Sequence, residues 1–203
     1  TDTSAYIMQF VGPPFTFSIR QVGSNCGAMS QHSLVHVDGI MYWMGKSGGF
    51  YAYDGGSVKK LTCSVEDFVF TTQTSDDLGF NFGQSEQVFA GYNTLFTEIN
   101  WFYCKDGSTQ IDRCVTLNYR EGLWTTSSLA RTAYSDKYVL DNPYATEYNS
   151  TGLPSVSING ITNEFGAATL YKHEIGSNQL DTVGNKTAIN AFIESGDFEM
   201  PME

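Results

Sequence analysis

The chain has 203 residues, 41% apolar, 14% aromatic and only 16% charged; that is a folded composition, poor in charge and rich in rings, and it excludes a disordered chain. The length suits one large domain or two small ones. Eleven basic residues against 22 acidic ones leave a net charge of −11, which repels phosphate backbones and argues against DNA or RNA reading through a basic face, and no apolar run approaches the roughly 20 residues that span a bilayer.

The sequence opens Thr1-Asp2-Thr3-Ser4, without Met, and enters an apolar stretch from Tyr6 to Val11; it ends Phe198-Glu199-Met200-Pro201-Met202-Glu203, with no tail-like character. The expectation is a processed or truncated piece of a longer polypeptide. Strands follow in short runs rich in Val, Ile, Thr, Tyr, Phe and Trp. Ser33 to Val37 is joined by Asp38-Gly39 to Ile40 to Met44, and Asp-Gly between apolar runs favours the tight turn that suits paired strands. The loop Gly45 to Gly49 leads to Phe50 to Tyr53, and Asp54-Gly55-Gly56 turns into Val58 to Leu61. Four strands in about 30 residues make an antiparallel meander. Ser64-Val65-Glu66-Asp67 predicts one or two helical turns, with Ser64 as the cap and Asp67 answering it.

The grammar then repeats. Gln87 to Tyr92, Thr97 to Tyr103, Asp112 to Tyr119 and Leu123 to Thr125 form a second meander around the turns Lys105 to Ser108 and Arg120 to Gly122. A vaguer third copy runs from Ile158 through Thr169 to Glu174 and on to Ala188–Ile193, the last of these a second short helix candidate. Meanders about 60 residues apart, each with its Trp or Tyr, read as blades of a β-propeller. The fold class is therefore all-β, with antiparallel four-stranded meanders forming part of a β-propeller; a β-sandwich is the alternative. The blades fall at about 5–64, 65–135 and 136–203, too few to close a ring of roughly four to eight.

Chemistry is sparse. Cys26, Cys63, Cys104 and Cys114 contain no C-x2-C pair and so fit no zinc pattern. Cys104 and Cys114 flank a hairpin, where buried thiols are favoured over a cross-strand disulfide. His32 and His36 would share a helical face, but on a strand they stand about 13 Å apart, too far for one ion. His173-Glu174 follows Tyr171 in a strand, where neighbours point to opposite faces, so fixing a turn is favoured over a His–carboxylate pair acting together. The carboxylates Asp54, Asp67, Asp76, Asp77, Glu98, Asp112, Glu121, Glu174 and Glu194 lie mostly in turns, where Asp bonds its own backbone. Asp106 to Asp112 lacks the alternating acids of a calcium loop. Arg20, Arg113, Arg120 and Arg131 are too scattered for the arginine cluster of a sialidase-like propeller. Trp43, Trp101 and Trp124, with Phe50, Tyr51, Tyr53, Phe102, Tyr103 and Tyr119, read as packing between blades in preference to a sugar platform. The two glycosylation sequons, Asn149-Ser150-Thr151 and Asn185-Lys186-Thr187, carry no meaning without secretion. No residue is assigned to catalysis, cofactor or metal.

Two stretches carry a resemblance. Gly27-Ala28-Met29-Ser30 with Val37 to Gly45 and Gly49 to Gly56, and Val88-Phe89-Ala90 with Glu98 to Tyr103, Asn118-Tyr119, Trp124 and Leu129 to Ala133, resemble the tail nozzle proteins of short-tailed bacteriophages. These are also described as tail tubular protein B or packaged-DNA stabilisation proteins. Leu170 to Gly176 and Phe192 to Phe198 sound the same cadence, while Cys104 stands where the family tends to place Pro. The resemblance implies a β-propeller virion protein without enzymatic activity or cofactor. It implies a ring, usually of six copies, below the portal and adaptor, closing the tail channel over packaged DNA and opening for ejection. Contact with DNA would be non-specific, no membrane is involved, and assembly takes place in the host cytoplasm. The competing expectation is a receptor- or glycan-binding propeller of a phage fibre or lectin. The loops Gly45 to Gly49, Ser75 to Gln84 and Asn142 to Pro154 are the expected contact surfaces.

Overall fold

Asp38-Gly39 shows how the sequence makes its hairpins. In the computed structural model both residues take left-handed backbone angles, φ 50° and φ 82°, the geometry whose twist matches two paired strands. The structure describes residues 3–71, 79–138, 140–149, 155–158, 161–164, 167–176, 178–180 and 185–189. They fall into two units, Thr1–His173 and Glu174–Glu203.

In the first unit, β1 (Ser4–Phe10) and β2 (Phe17–Ser24) form a two-stranded antiparallel ribbon. A four-stranded meander follows: β3 (Leu34–Val37), β4 (Ile40–Met44), β5 (Phe50–Tyr53) and β6 (Val58–Leu61). The helix α1 (Glu66–Phe70) and a 3-10 segment, Phe82–Gln87, lead to the second meander. It comprises β7 (Phe89–Asn93), β8 (Glu98–Tyr103), β9 (Arg113–Asn118) and β10 (Leu123–Ser127), again paired in chain order. A third sheet follows the order β11 (Ala133–Ser135), β12 (Tyr144–Asn149) and then β15 (Ala167–Lys172), with the hairpin of β13 (Ser155–Ile158) and β14 (Ile161–Glu164) inserted between the last two. The second unit contains the hairpin of β16 (Asn178–Leu180) and β17 (Lys186–Ala188).

The protein is thus all-β, with two antiparallel four-stranded meanders at the positions read from the sequence. The third region differs from the vaguer third copy: its sheet has three strands, and Ile158 belongs to the inserted hairpin. The one-turn helix is present, but Ser64 does not cap it. Val65 occupies the N-cap position without a side-chain cap bond. Of the second helix candidate, Ala188 ends a strand, and residues 190–193 lie outside the described residues.

The core explains why the second meander is the most apolar. Opposed residues on antiparallel strands share a face, and the register puts Ile99, Trp101 and Tyr103 of β8 with Val115 and Leu117 of β9 on one face. That face packs against Val37, Tyr42, Met44 and Phe50 of the first sheet. Phe50 meets Trp101 at 5.0 Å and Trp124 at 4.6 Å between ring centroids. The other face presents Phe89, Phe102 and Cys114, which pack with Tyr134 of the third sheet. Gly91 lies on this face too, where a Cβ would come within 2.7 Å of the Tyr134 ring, so the missing side chain admits the third layer. The second sheet is sandwiched, and five of the six residues of β8 are buried. Two indole N–H groups fasten strands to loops: Trp101 donates to the Ser33 carbonyl at 3.0 Å, and Trp124 to that of Thr62 at 2.9 Å.

Candidate functional site

The first strands of the three sheets line one cleft. β3 and β7 lie side by side: His32 bridges Phe89 in parallel sense, and Ala90 N–H donates to the His32 carbonyl at 2.8 Å. The cleft, about 450 Å³ and open to solvent, is bordered by Gln31, His32 and Leu34 on one side, Gln87 and Phe89 in the middle, and Thr132 and Tyr134 of the third sheet on the other. Gln87 is positioned by the 3-10 segment, its amide donating to Gln84 Oε1 and, at 3.1 Å, to the Thr109 carbonyl. The lining mixes amides, an exposed imidazole and two rings.

Behind Tyr134 sits a buried ionic cluster. Arg131 is 8% exposed. Its Nη1 donates to Glu147 Oε2 at 3.0 Å and to the Ala130 carbonyl at 2.6 Å. Its Nε donates to His173 Nε2 at 3.0 Å, and its guanidinium lies 4.1 Å from the centre of the Tyr171 ring. The His173 ring meets Tyr134 edge-on at 6.0 Å, and its backbone N–H donates to the Pro143 carbonyl at 2.8 Å. Burial, and then the Arg131 charge, push the imidazole down to about 4. His173 is therefore neutral at physiological pH, with its Nε2 lone pair already taken. Burial raises the Tyr171 hydroxyl, as does the neighbouring Glu147 carboxylate. This arrangement pins the segment before β11, the middle of β12 and the end of β15 together.

The residues singled out from the sequence are dispersed. His32 and His36 are exposed, and among the described residues no group of three or more His, Cys, Asp or Glu is placed to hold a metal ion. His173 accepts from Arg131. Cys114 stands opposite Phe102, while Cys104 lies beyond the end of the β8–β9 ladder, and both are free thiols. Burial pushes Cys63 and Cys104 up to about 11 and Cys114 to about 12, so none supplies a thiolate at neutral pH. Asp54 accepts from Gly56 N–H, and Asp112 from Lys105 N–H, as turn acids do. Asp76, Asp77 and Glu194 lie outside the described residues. Trp101, Phe50, Phe102 and Tyr103 are core residues, and Trp43 is held by the Cys26 carbonyl and stacked on Tyr51.

The three expected contact loops also change character. In Gly45 to Gly49 only Ser47 is exposed, the rest being folded onto Gly27, Phe70 and Lys60. Of Ser75 to Gln84, residues 75–78 lie outside the described set, and Gly79 and Phe80 are buried. Asn142 to Pro154 contains all of β12, with residues 150–154 outside the described set.

No helix among the described residues is long and apolar enough to cross a membrane. Fold and site together define a stacked-sheet, all-β protein with an open cleft and a neutral histidine hydrogen-bonded to an arginine that is ion-paired with Glu147. No protein-family model matches the chain, and no curated protein does.

Proposed function

We propose that the three stacked sheets are consecutive blades of a β-propeller, and that the chain is a structural, non-enzymatic part of the tail nozzle of a short-tailed bacteriophage. The observation that carries the reading is the cleft: each sheet contributes its first strand to it, as blades contribute their innermost strands to a propeller axis. The face-to-face aromatic packing of neighbouring sheets supports the same reading, and so does the cadence of Gly27 to Gly56 and Val88 to Ala133. Copies of the chain assemble as a ring, of six by family resemblance, against portal and adaptor in the virion tail, after synthesis in the host cytoplasm.

The charge balance suits this task. A net charge of −11 around a channel repels the DNA backbone, so the genome slides without sticking. Electron cryomicroscopy of the intact tail is the test. A ring with acids facing the lumen is the expected result; a basic lumen with acids on the outer wall would overturn the mechanism. The open cleft with Gln31, His32, Phe89 and Tyr134 favours one competing reading, a receptor- or glycan-binding propeller. Glycan-array binding abolished by Tyr134→Ala would move that reading to the front.

A further inference from the structure

The β1–β2 ribbon has an apolar face that stands exposed among the described residues. The register opposes Tyr6 to Gln21, Met8 to Ile19 and Phe10 to Phe17, and opposed residues share a face. Tyr6, Met8, Phe10, Phe17 and Ile19 therefore form one strip, between 51% and 68% exposed, with Phe15 at the ribbon tip 76% exposed. The other face carries Ile7, Gln9, Ser18 and Arg20. A two-stranded ribbon alone is marginal in water, and a contiguous apolar strip of this kind marks an interaction surface.

Area and charge identify the occupant. Six side chains of roughly 200 Å² each, at these exposures, offer about 800 Å², one partner's share of a standard protein interface. Between Thr3 and Ser24 the one charged residue is Arg20, and it stands on the opposite face. The strip is thus a charge-free patch on a chain of net charge −11. Two such chains repel over their acidic surfaces and can approach where no acid stands. A nucleic-acid or anionic partner would meet no cation on the strip, which is therefore no phosphate-binding face.

We propose that a second copy of this chain covers the apolar strip of the β1–β2 ribbon. The proposal rests on the ribbon alone, and stands or falls separately from the tail reading, which virion composition decides. Sedimentation velocity of the 203-residue chain across micromolar concentrations tests it. The wild-type chain self-associates, and more strongly as salt screens the acidic repulsion. The double variant Met8→Glu/Ile19→Glu weakens association about 100-fold or more. Gln9→Glu, on the opposite face, leaves it unchanged. Far-UV circular dichroism and thermal unfolding of the monomer stay as in the wild type for both variants, because none of the three side chains packs in the core. A wild-type chain that stays monomeric, or association untouched by Met8→Glu/Ile19→Glu, would overturn the proposal. Co-flotation of a monomeric wild-type chain with phosphatidylcholine vesicles, lost in the double variant, would also overturn it and assign the strip to a lipid surface.

Discussion

β8 and β1 are both apolar strands, yet they meet opposite fates. In β8 the run from Ile99 to Tyr103 is buried throughout, whereas four of the seven residues of β1 are exposed. Their patterns do not separate them: Asn100 interrupts the apolar run of β8, whereas Ala5 to Met8 of β1 is apolar without a break. For β8 the covering layers are the first and third sheets. For β1 no such layer stands among the described residues of its own unit. An apolar pattern thus states that a strand needs cover, and the rest of the molecule decides whether the cover comes from the same chain.

Substitutions can break this contrast, beginning with its most buried ring. Trp101→Ala removes a fully buried indole and takes its N–H from the Ser33 carbonyl, which keeps the Met44 N–H; unfolding in urea should show a loss of about 4 kcal/mol. Met8→Ala, in the ribbon, should stay within about 0.5 kcal/mol of wild type in the same assay. If the two losses are equal, the layered core is wrongly assigned. Arg131→Ala strands Glu147 and unties His173, and the loss of a buried partner predicts about 3 kcal/mol by chemical denaturation. Gly91→Ala forces a methyl group against Tyr134; about 2 kcal/mol is expected, with a change in the near-ultraviolet signal of the aromatic residues.

A pH series sharpens the comparison at the Arg131 cluster. The unfolded chain titrates His173 near its ordinary value of 6.5, and the folded chain only at about 4. The unfolded state therefore takes up the proton first, and stability falls as pH drops from about 6.5 to about 4, then levels off. The loss is about 2 kcal/mol, allowing for the part of the ring that water reaches. His173→Gln should flatten that part of the curve. The smallest effect belongs to the surface: the Lys59 hydrogen bond holds Asp54 down to about 2, but the pair is exposed, and Asp54→Asn should not change the midpoint of thermal unfolding measurably.

The meanders were legible because their turns are written locally, in Asp38-Gly39, Asp54-Gly55-Gly56 and Asp106-Gly107. The packing role of Trp101 and Phe50 was legible from their repeat-equivalent places. The Arg131 cluster was not. Arg131, Glu147 and His173 are separated by 16 and 26 positions and meet only because β15 returns to β12 past an inserted hairpin, which no short-range pattern encodes. The 3-10 segment Phe82–Gln87 has too few residues to show a period. Ser64 had the chemistry of a cap, but the chain places its N-cap one residue later, at Val65, and leaves Ser64 unused. The ribbon was visible only as the apolar stretch from Tyr6 to Val11; its exposure depends on layers elsewhere in the molecule.

Peptide mass spectrometry of the purified source particle tests the functional reading most directly, because it gives the parent-chain length and the number of copies together. The tail-nozzle reading predicts a parent several times this length at near six copies per virion. A mature chain of this length, absent from virions or present in dozens of copies, would contradict it and favour the fibre or lectin.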